Sequence, residues 1–223
     1  IIISSGDELV GVSEAPLHYQ IRRSNAHQLR ATLGSWGLEA DLAHFPDNPE
    51  DIEQKLSEVM KQYDLVIISG GVSKGKFDYM PEALENLGVE KFFHRVKQRP
   101  GKPFWFGAVE GGPTVFALPG NPVSSFVCLL RYLQPWLRAS LGQPPFETRY
   151  ARLEAPIQFA PDLTYFAQVL LTYNREGEIL AHPVEGHGSG DLANLTHASA
   201  FIELPRGQED FEQGEVFAVI SFR

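Results

Sequence analysis

Apolar positions in the first part of the chain switch repeatedly between a strand-like and a helical pattern. Short runs at Ile1–Ser4, Glu39–His44, Leu65–Ser69 and Thr114–Leu118 read as strands. Between them the period becomes helical. Leu29, Leu33 and Trp36 fall on one face, with Gly37 as a stop just beyond. Ile52, Leu56, Val59 and Tyr63 form the next stripe. Asn48-Pro49 suits its cap and first position, and Glu50 and Asp51 favour its first turn. A short helical stretch opens near Pro81, and a last helix carries Phe126, Leu130, Leu133 and Leu137 before Gly142. This alternation predicts an α/β fold, a three-layer, mostly parallel sheet with helices on both faces.

The pattern changes at Gly142-Gln143-Pro144-Pro145. Beyond it no helical period survives. β-rich runs follow at Tyr150–Leu153, Thr164–Tyr173, Glu178–Ala181, Phe201–Leu204 and Val216–Phe222, separated by turn residues. They predict a small β-barrel or sandwich, giving two domains, 1–142 and 146–223.

The net charge of −9 over 223 residues disfavours nucleic acid as a partner, so an anionic ligand needs local cations. No apolar run approaches the ~20 residues that span a bilayer, and no membrane partner is expected. The start carries no basic leader and no initiator Met, which reads as a fragment of a cytoplasmic protein. The single cysteine, Cys128, lies in an apolar helical run and reads as a core residue of a reducing compartment.

Ligands of open α/β sheets bind at the carboxyl ends of strands. Four notable segments fall there. Ser4-Ser5-Gly6-Asp7-Glu8-Leu9 follows the first strand and Phe45-Pro46-Asp47-Asn48-Pro49 the second. Gly70-Gly71-Val72-Ser73-Lys74-Gly75-Lys76-Phe77-Asp78-Tyr79 follows the third. Its glycines admit close backbone approach, its N–H groups can cradle an anion, and Asp78 sets a carboxylate beside them. Leu118-Pro119-Gly120-Asn121-Pro122 follows the fourth. Each has a plainer reading: Asp78 as a helix cap, Asp47 as turn chemistry, Glu8 as a solvated loop residue.

A fifth cluster, Arg95 to Lys102, holds four cations within eight residues. Alternation would put Arg95, Lys97 and Arg99 on one extended face, as an oxyanion row or as a solvated edge strand. The histidines are scattered and no nucleophile elbow stands out. Carboxylates, cations and glycine-rich backbone suit phosphate-ester chemistry with a hard cation such as Mg²⁺.

Taken in order, these segments resemble the molybdopterin molybdenumtransferase family, the MoeA and gephyrin E-domain proteins. The matching pieces are Ser5–Leu9, Gly70–Ser73 with Gly75 and Asp78-Tyr79, Pro100-Gly101-Lys102-Pro103, and Leu118–Pro122. Gly186-His187-Gly188-Ser189-Gly190 resembles a segment of the family's C-terminal barrel. The likeness covers this chain but only the C-terminal half of a usual member. It implies a molybdopterin-binding domain and a barrel that insert molybdate into adenylylated molybdopterin and release AMP.

By matching position, the resemblance makes Glu8, Asp47 and Asp78 the active-site acids, with Asp47 and Asp78 holding Mg²⁺. Gly70, Gly71, Ser73 and Gly75 would hold the pterin phosphate. Arg95, Arg99 and Lys102 would offset molybdate and phosphate charge. Pro119, Gly120, Asn121 and Pro122 complete the substrate cleft, and Ser189 faces it from the barrel. Gln168 stands where many members carry Arg. The family also implies a homodimer and an encounter with molybdopterin adenylyltransferase. Two other readings compete. One is an adenylyltransferase-like or competence-damage-type enzyme domain, which the β-rich tail argues against. The other is a non-catalytic scaffold for ligand binding and dimerisation.

Overall fold

A computed structural model describes residues 1–72, 79–184 and 192–223. Their internal contacts divide into two units, Ile1–Val96 with Pro103–Phe126, and Lys97–Lys102 with Val127–Arg223.

The first unit begins with β1 (Ile2–Ser5), a short parallel pair β2 (Leu9–Val10) and β3 (Ile21–Arg22), and α1 (Asn25–Ser35). There follow β4 (Leu42–Phe45), α2 (Pro49–Val59), β5 (Leu65–Ser69), α3 (Met80–Asn86) and β6 (Glu90–His94). After β7 (Gln98–Arg99), which belongs to the second unit, come β8 (Trp105–Ala108) and β9 (Thr114–Leu118). The sheet order is β4-β1-β5-β9-β8-β6. β4, β1, β5 and β9 are parallel, while β8 runs antiparallel to both of its neighbours, β9 and β6.

Alternation sorts the sheet's residues between two faces. Ile3, Val66, Ile68, Val115 and Ala117 share a core with Ile52 and Leu56 of α2 and Met80 and Leu84 of α3. Ile2, Ile67 and Phe116 point the other way and are equally buried, and α1 contacts β1 while burying Ala26, Leu29 and Leu33. The α/β expectation therefore holds. Two details differ. The strand expected from Glu39 begins at Leu42, because Glu39 and Asp41 are exposed and pairing starts where Ile2 N–H donates to Asp41 O. The antiparallel β6 and β8 lie where the sequence pattern suggested no strand; Glu90-Lys91 and the aromatic pair Phe92-Phe93 blur both periods.

The last helix runs as α4 (Pro122–Cys128), a π-helical turn at Leu129–Leu133, and α5 (Gln134–Ser140). Pro135 has no N–H to give Arg131, and the chain widens just before it. The extra residue rotates the stripe, so Leu130 and Leu133 are buried while Leu137 is only half-buried.

The second unit contains β10 (Arg149–Leu153), β11 (Ile157–Gln158), β12 (Thr164–Tyr173), β13 (Ile179–Pro183), β14 (Ala200–Leu204), β15 (Asp210–Phe211) and β16 (Val216–Ser221). The ring β13-β10-β16-β14-β12 closes through β12–β13, giving the expected barrel, here with five strands. Leu153, Val169, Ala181, Ile202, Leu204 and Phe211 fill it. β7 adds to β12 as a parallel partner. Beside it, buried Gln98 donates to Pro100 O (2.9 Å) and accepts from Tyr132 OH. Burial pushes the Tyr132 phenol up to about 12. Cys128 is fully buried near Gly101 O, and burial raises its thiol, as a core cysteine requires. Among the described residues no helix is long and apolar enough to cross a membrane.

Candidate functional site

Strand register brings the sequence segments together. Ser5 is level with Phe45, Ser4 with Ser69, and Ser69 with Leu118, so four parallel strands end side by side. At these ends lies a cavity of about 240 Å³. Ser4, Ser5, Ser69, Gly70, Gly71 and Val72 line it, as do Pro119, Gly120 and Pro122. Glu8, Leu9, Ile21–Ala26 and Pro103 complete the wall.

Glycine is required twice here. Gly70 has φ +98°, and a Cβ on it would meet Ser5 O at 2.9 Å. Gly71 has φ +68°, and a Cβ there would meet Met80 Cγ at 2.9 Å. Both residues have a positive φ that favours glycine, at a close approach to backbone for Gly70 and to the Met80 side chain for Gly71. The next residue is held from β6: His94 Nε2 lies 3.1 Å from Val72 O, so that nitrogen carries the proton.

The first two loops are cross-tied. Ser5 Oγ donates to Asp47 Oδ1 (3.2 Å), and Asp7 N–H donates to Asp47 Oδ2 (3.4 Å). Asp47 N–H in turn donates to Asp7 Oδ1 (3.0 Å). Asp47 therefore stands at the strand ends with a second carboxylate beside it. Asn48 caps α2, its Oδ1 accepting from Glu50 and Asp51 N–H. Glu8 lines the cavity with its carboxylate folded back over Gly6. Asn121 Oδ1 accepts from Ser124 N–H (3.1 Å) and Ser124 Oγ (3.2 Å), fixing the turn that carries Pro119 and Gly120.

Asp78, Ser73 and Gly75 lie outside the described residues, as does Ser189. Among the described residues no group of three or more His, Cys, Asp or Glu is placed to hold a metal ion. Mg²⁺ is usually held by one or two carboxylates together with substrate phosphates, and Asp47 beside Asp7 has the donor chemistry for that.

The expected cationic row is divided. Arg95 belongs to the first unit, and its φ of +79° interrupts the extended segment. Arg99 and Lys102 belong to the second. Arg99 lies over the Phe159 ring (5.9 Å to its centre) and opposes the rise that burial imposes on the Tyr165 phenol. Gln168 sits on β12, its Oε1 buried and without a hydrogen-bond partner among the described residues.

Asn25, Arg22 and Arg23 are among the cavity residues that were not sequence candidates. Asn25 Nδ2 donates to Ser69 Oγ (2.9 Å) and to Gly120 O (2.7 Å), clamping the third strand end to the fourth loop. Ser24-Asn25 before an amphipathic helix reads as ordinary cap chemistry, and nothing local reveals a partner 95 residues away. Arg22 and Arg23 also line the cavity; two adjacent cations in an acidic chain are their sequence signal.

Comparison with known proteins agrees with this fold. The family model for the probable molybdopterin binding domain matches residues 1–139, and that for the MoeA C-terminal region (domain IV) matches residues 150–222. A molybdopterin molybdenumtransferase of Synechocystis sp. is 42% identical over 218 residues, covering 97% of this chain and 53% of the relative. Its Bacillus subtilis counterpart is 32% identical over 228 residues, covering 100% and 52%. A solved molybdopterin biosynthesis MoeA protein from Pyrococcus horikosii superposes with a TM-score of 0.82 at 28% identity, covering all of this chain and 54% of its own. The chain spans about half the length of the curated relatives it matches.

Proposed function

The chain belongs to the molybdopterin-binding domain family, in the form carried by the C-terminal region of MoeA proteins, and on that premise we propose that it acts in molybdenum cofactor biosynthesis. In this reading it binds adenylylated molybdopterin for molybdate insertion with release of AMP. The observation that carries the reading is the cavity at four level strand ends, built from serine, glycine and Asn25. The match of residues 150–222 to the MoeA C-terminal region favours it over an adenylyltransferase-like or competence-damage-type domain.

In this mechanism the chain's own groups position and neutralise rather than attack. The Gly70-Gly71 backbone lets a phosphate approach, and Ser69, whose Oγ accepts from Asn25, keeps its hydroxyl proton to donate to a phosphate oxygen. Asn25 keeps the third and fourth loops at a set spacing. Asp47, with Asp78, would hold Mg²⁺, which supplies charge neutralisation at the phosphoanhydride. Glu8 would orient the substrate from the cavity wall. Arg95, Arg99 and Lys102, with Ser189, would meet molybdate and phosphate, and Ser73 and Gly75 would extend the phosphate cradle. A cytoplasmic homodimer and an encounter with the adenylyltransferase belong to the same proposal. The division into domains 1–142 and 146–223 is supported by the limits of the two family matches.

The test joins binding to turnover. The chain alone, and the chain fused behind the N-terminal half of the Synechocystis relative, are given adenylylated molybdopterin, molybdate and Mg²⁺. Binding by both and AMP release by the fusion are expected. Absence of binding in either protein would sink the reading.

A further inference from the structure

Five of the chain's arginines are engaged through their side chains by a carboxylate or a carbonyl: Arg131, Arg138, Arg152, Arg206 and Arg223. Arg23 differs. Its Nε is buried, and no hydrogen-bond partner reaches it among the described residues. A guanidinium N–H removed from water without an acceptor is costly, and such a group calls for an explanation, which a bound anion would supply.

The backbone holds Arg23 in place. Ile21 N–H donates to Glu8 O (2.8 Å), and Arg23 N–H donates to Val10 O (3.0 Å). The arginine pair thus rides on a short parallel ladder tied to the loop after β1. Glu14 is the nearby acid; its Oε1 accepts from Gly11 N–H (3.0 Å), and it forms no ion pair with Arg23 among the described residues. Arg22 and Arg23 are the cations among the described residues lining the cavity, where Glu8 is the acid.

The next residues strengthen the case. Ser24 stands at the start of the eleven-residue α1 but makes no side-chain cap, and no acidic residue occupies the first turn. Ser24, Asn25 and Ala26 line the same cavity. The positive end of the helix and the two arginines therefore border one cavity.

We propose that Arg23, with Arg22 and the N-terminus of α1, forms an anion subsite of the strand-end cavity that receives a phosphate group. Naming that group as the phosphate of a pterin ligand rests on the proposed function; the anion subsite itself does not. The subsite takes up part of the charge-neutralising role that the family resemblance gives to Arg95, Arg99 and Lys102.

The test is calorimetric titration of the chain with adenylylated molybdopterin, AMP and inorganic pyrophosphate at several salt concentrations. Parent, Arg23→Gln, Arg23→Lys and Arg22→Gln proteins are compared, with thermal unfolding as a check on folding. Arg23→Gln should weaken binding at least about tenfold and flatten its salt dependence, because a charge-assisted fork is lost. Arg23→Lys should recover part of the affinity, keeping the charge without the fork. Arg22→Gln should weaken binding less, because Arg22 is exposed. Parent-like affinity and salt dependence in Arg23→Gln would overturn the subsite while leaving the proposed function standing. Arg23-dependent binding of pyrophosphate or AMP without binding of the pterin would keep the subsite and remove its assignment to a pterin phosphate. A parent protein that binds none of the three probes would overturn the subsite outright.

Discussion

In the barrel unit, Arg152 reaches Glu178 (2.9 Å), Arg206 reaches Asp162 (2.6 Å) and Arg131 reaches Glu203 (3.3 Å). In the α/β unit, Arg22 and Arg23 line a cavity and neither forms an ion pair among the described residues. The barrel unit's pairs tie strands, turns and, for Arg131, the π-helical turn to β14 near the surface, where such contacts contribute little but settle the charge. Around the cavity the polar groups cluster at strand ends and are held by backbone and short side chains. Arginine serves cohesion in one region and is kept for a ligand in the other. A cation that already has its carboxylate gains little from a phosphate, whereas one left without an acceptor gains much.

The largest expected effect tests whether the two regions are independent. Leu56 and Ile202 are fully buried, one in each core. Leu56→Ala and Ile202→Ala should each cost about 2–5 kcal/mol. Each should lower one unfolding transition and spare the other, followed by tryptophan fluorescence in denaturant. A single transition moved equally by both changes would merge the regions into one cooperative unit.

A smaller effect sharpens the account of the cavity. Asn25→Ala removes two hydrogen bonds and should cost about 1–3 kcal/mol. Asn25→Asp should be worse in ligand binding, because it turns a carboxylate toward Gly120 O and adds negative charge to an anion site. Equilibrium unfolding and pyrophosphate titration of both variants separate the two consequences. Equal binding by Asp and Ala variants would show that the clamp is structural only.

The smallest effect belongs to the barrel's surface. The Arg206 guanidinium beside Asp162 holds its carboxyl below the usual carboxylate range. The resulting stabilisation is full above the unfolded-state pKa and is lost as pH falls through the depressed folded value. Asp162→Asn should therefore be slightly less stable than the parent near neutral pH and match it in strong acid. A difference that persists in acid would mean that the pair is not its source.

Much of the architecture was legible in local pattern. The helices containing Leu29 and Leu33, and Ile52 and Leu56, bury those residues as their spacing requires. The barrel runs reappear as β10, β12, β13, β14 and β16 because alternation and turn residues act over a few positions. The strands β6 and β8 escaped, since mixed polar and aromatic runs carry neither period cleanly. The cationic row read along the chain was divided because Arg95 takes a left-handed backbone that no alternation rule anticipates.

By itself, the sequence determined which segments stand at strand ends, where glycine must be and that the tail is β-structured, all consequences of local period and backbone permissiveness. The tertiary structure alone decided that Asn25 meets Gly120, that Asp47 stands against Asp7, and that Arg23, with a buried Nε that has no partner among the described residues, lines the cavity. Those pairings depend on strand register and crossover between distant segments, and a linear pattern carries no record of which ends arrive side by side.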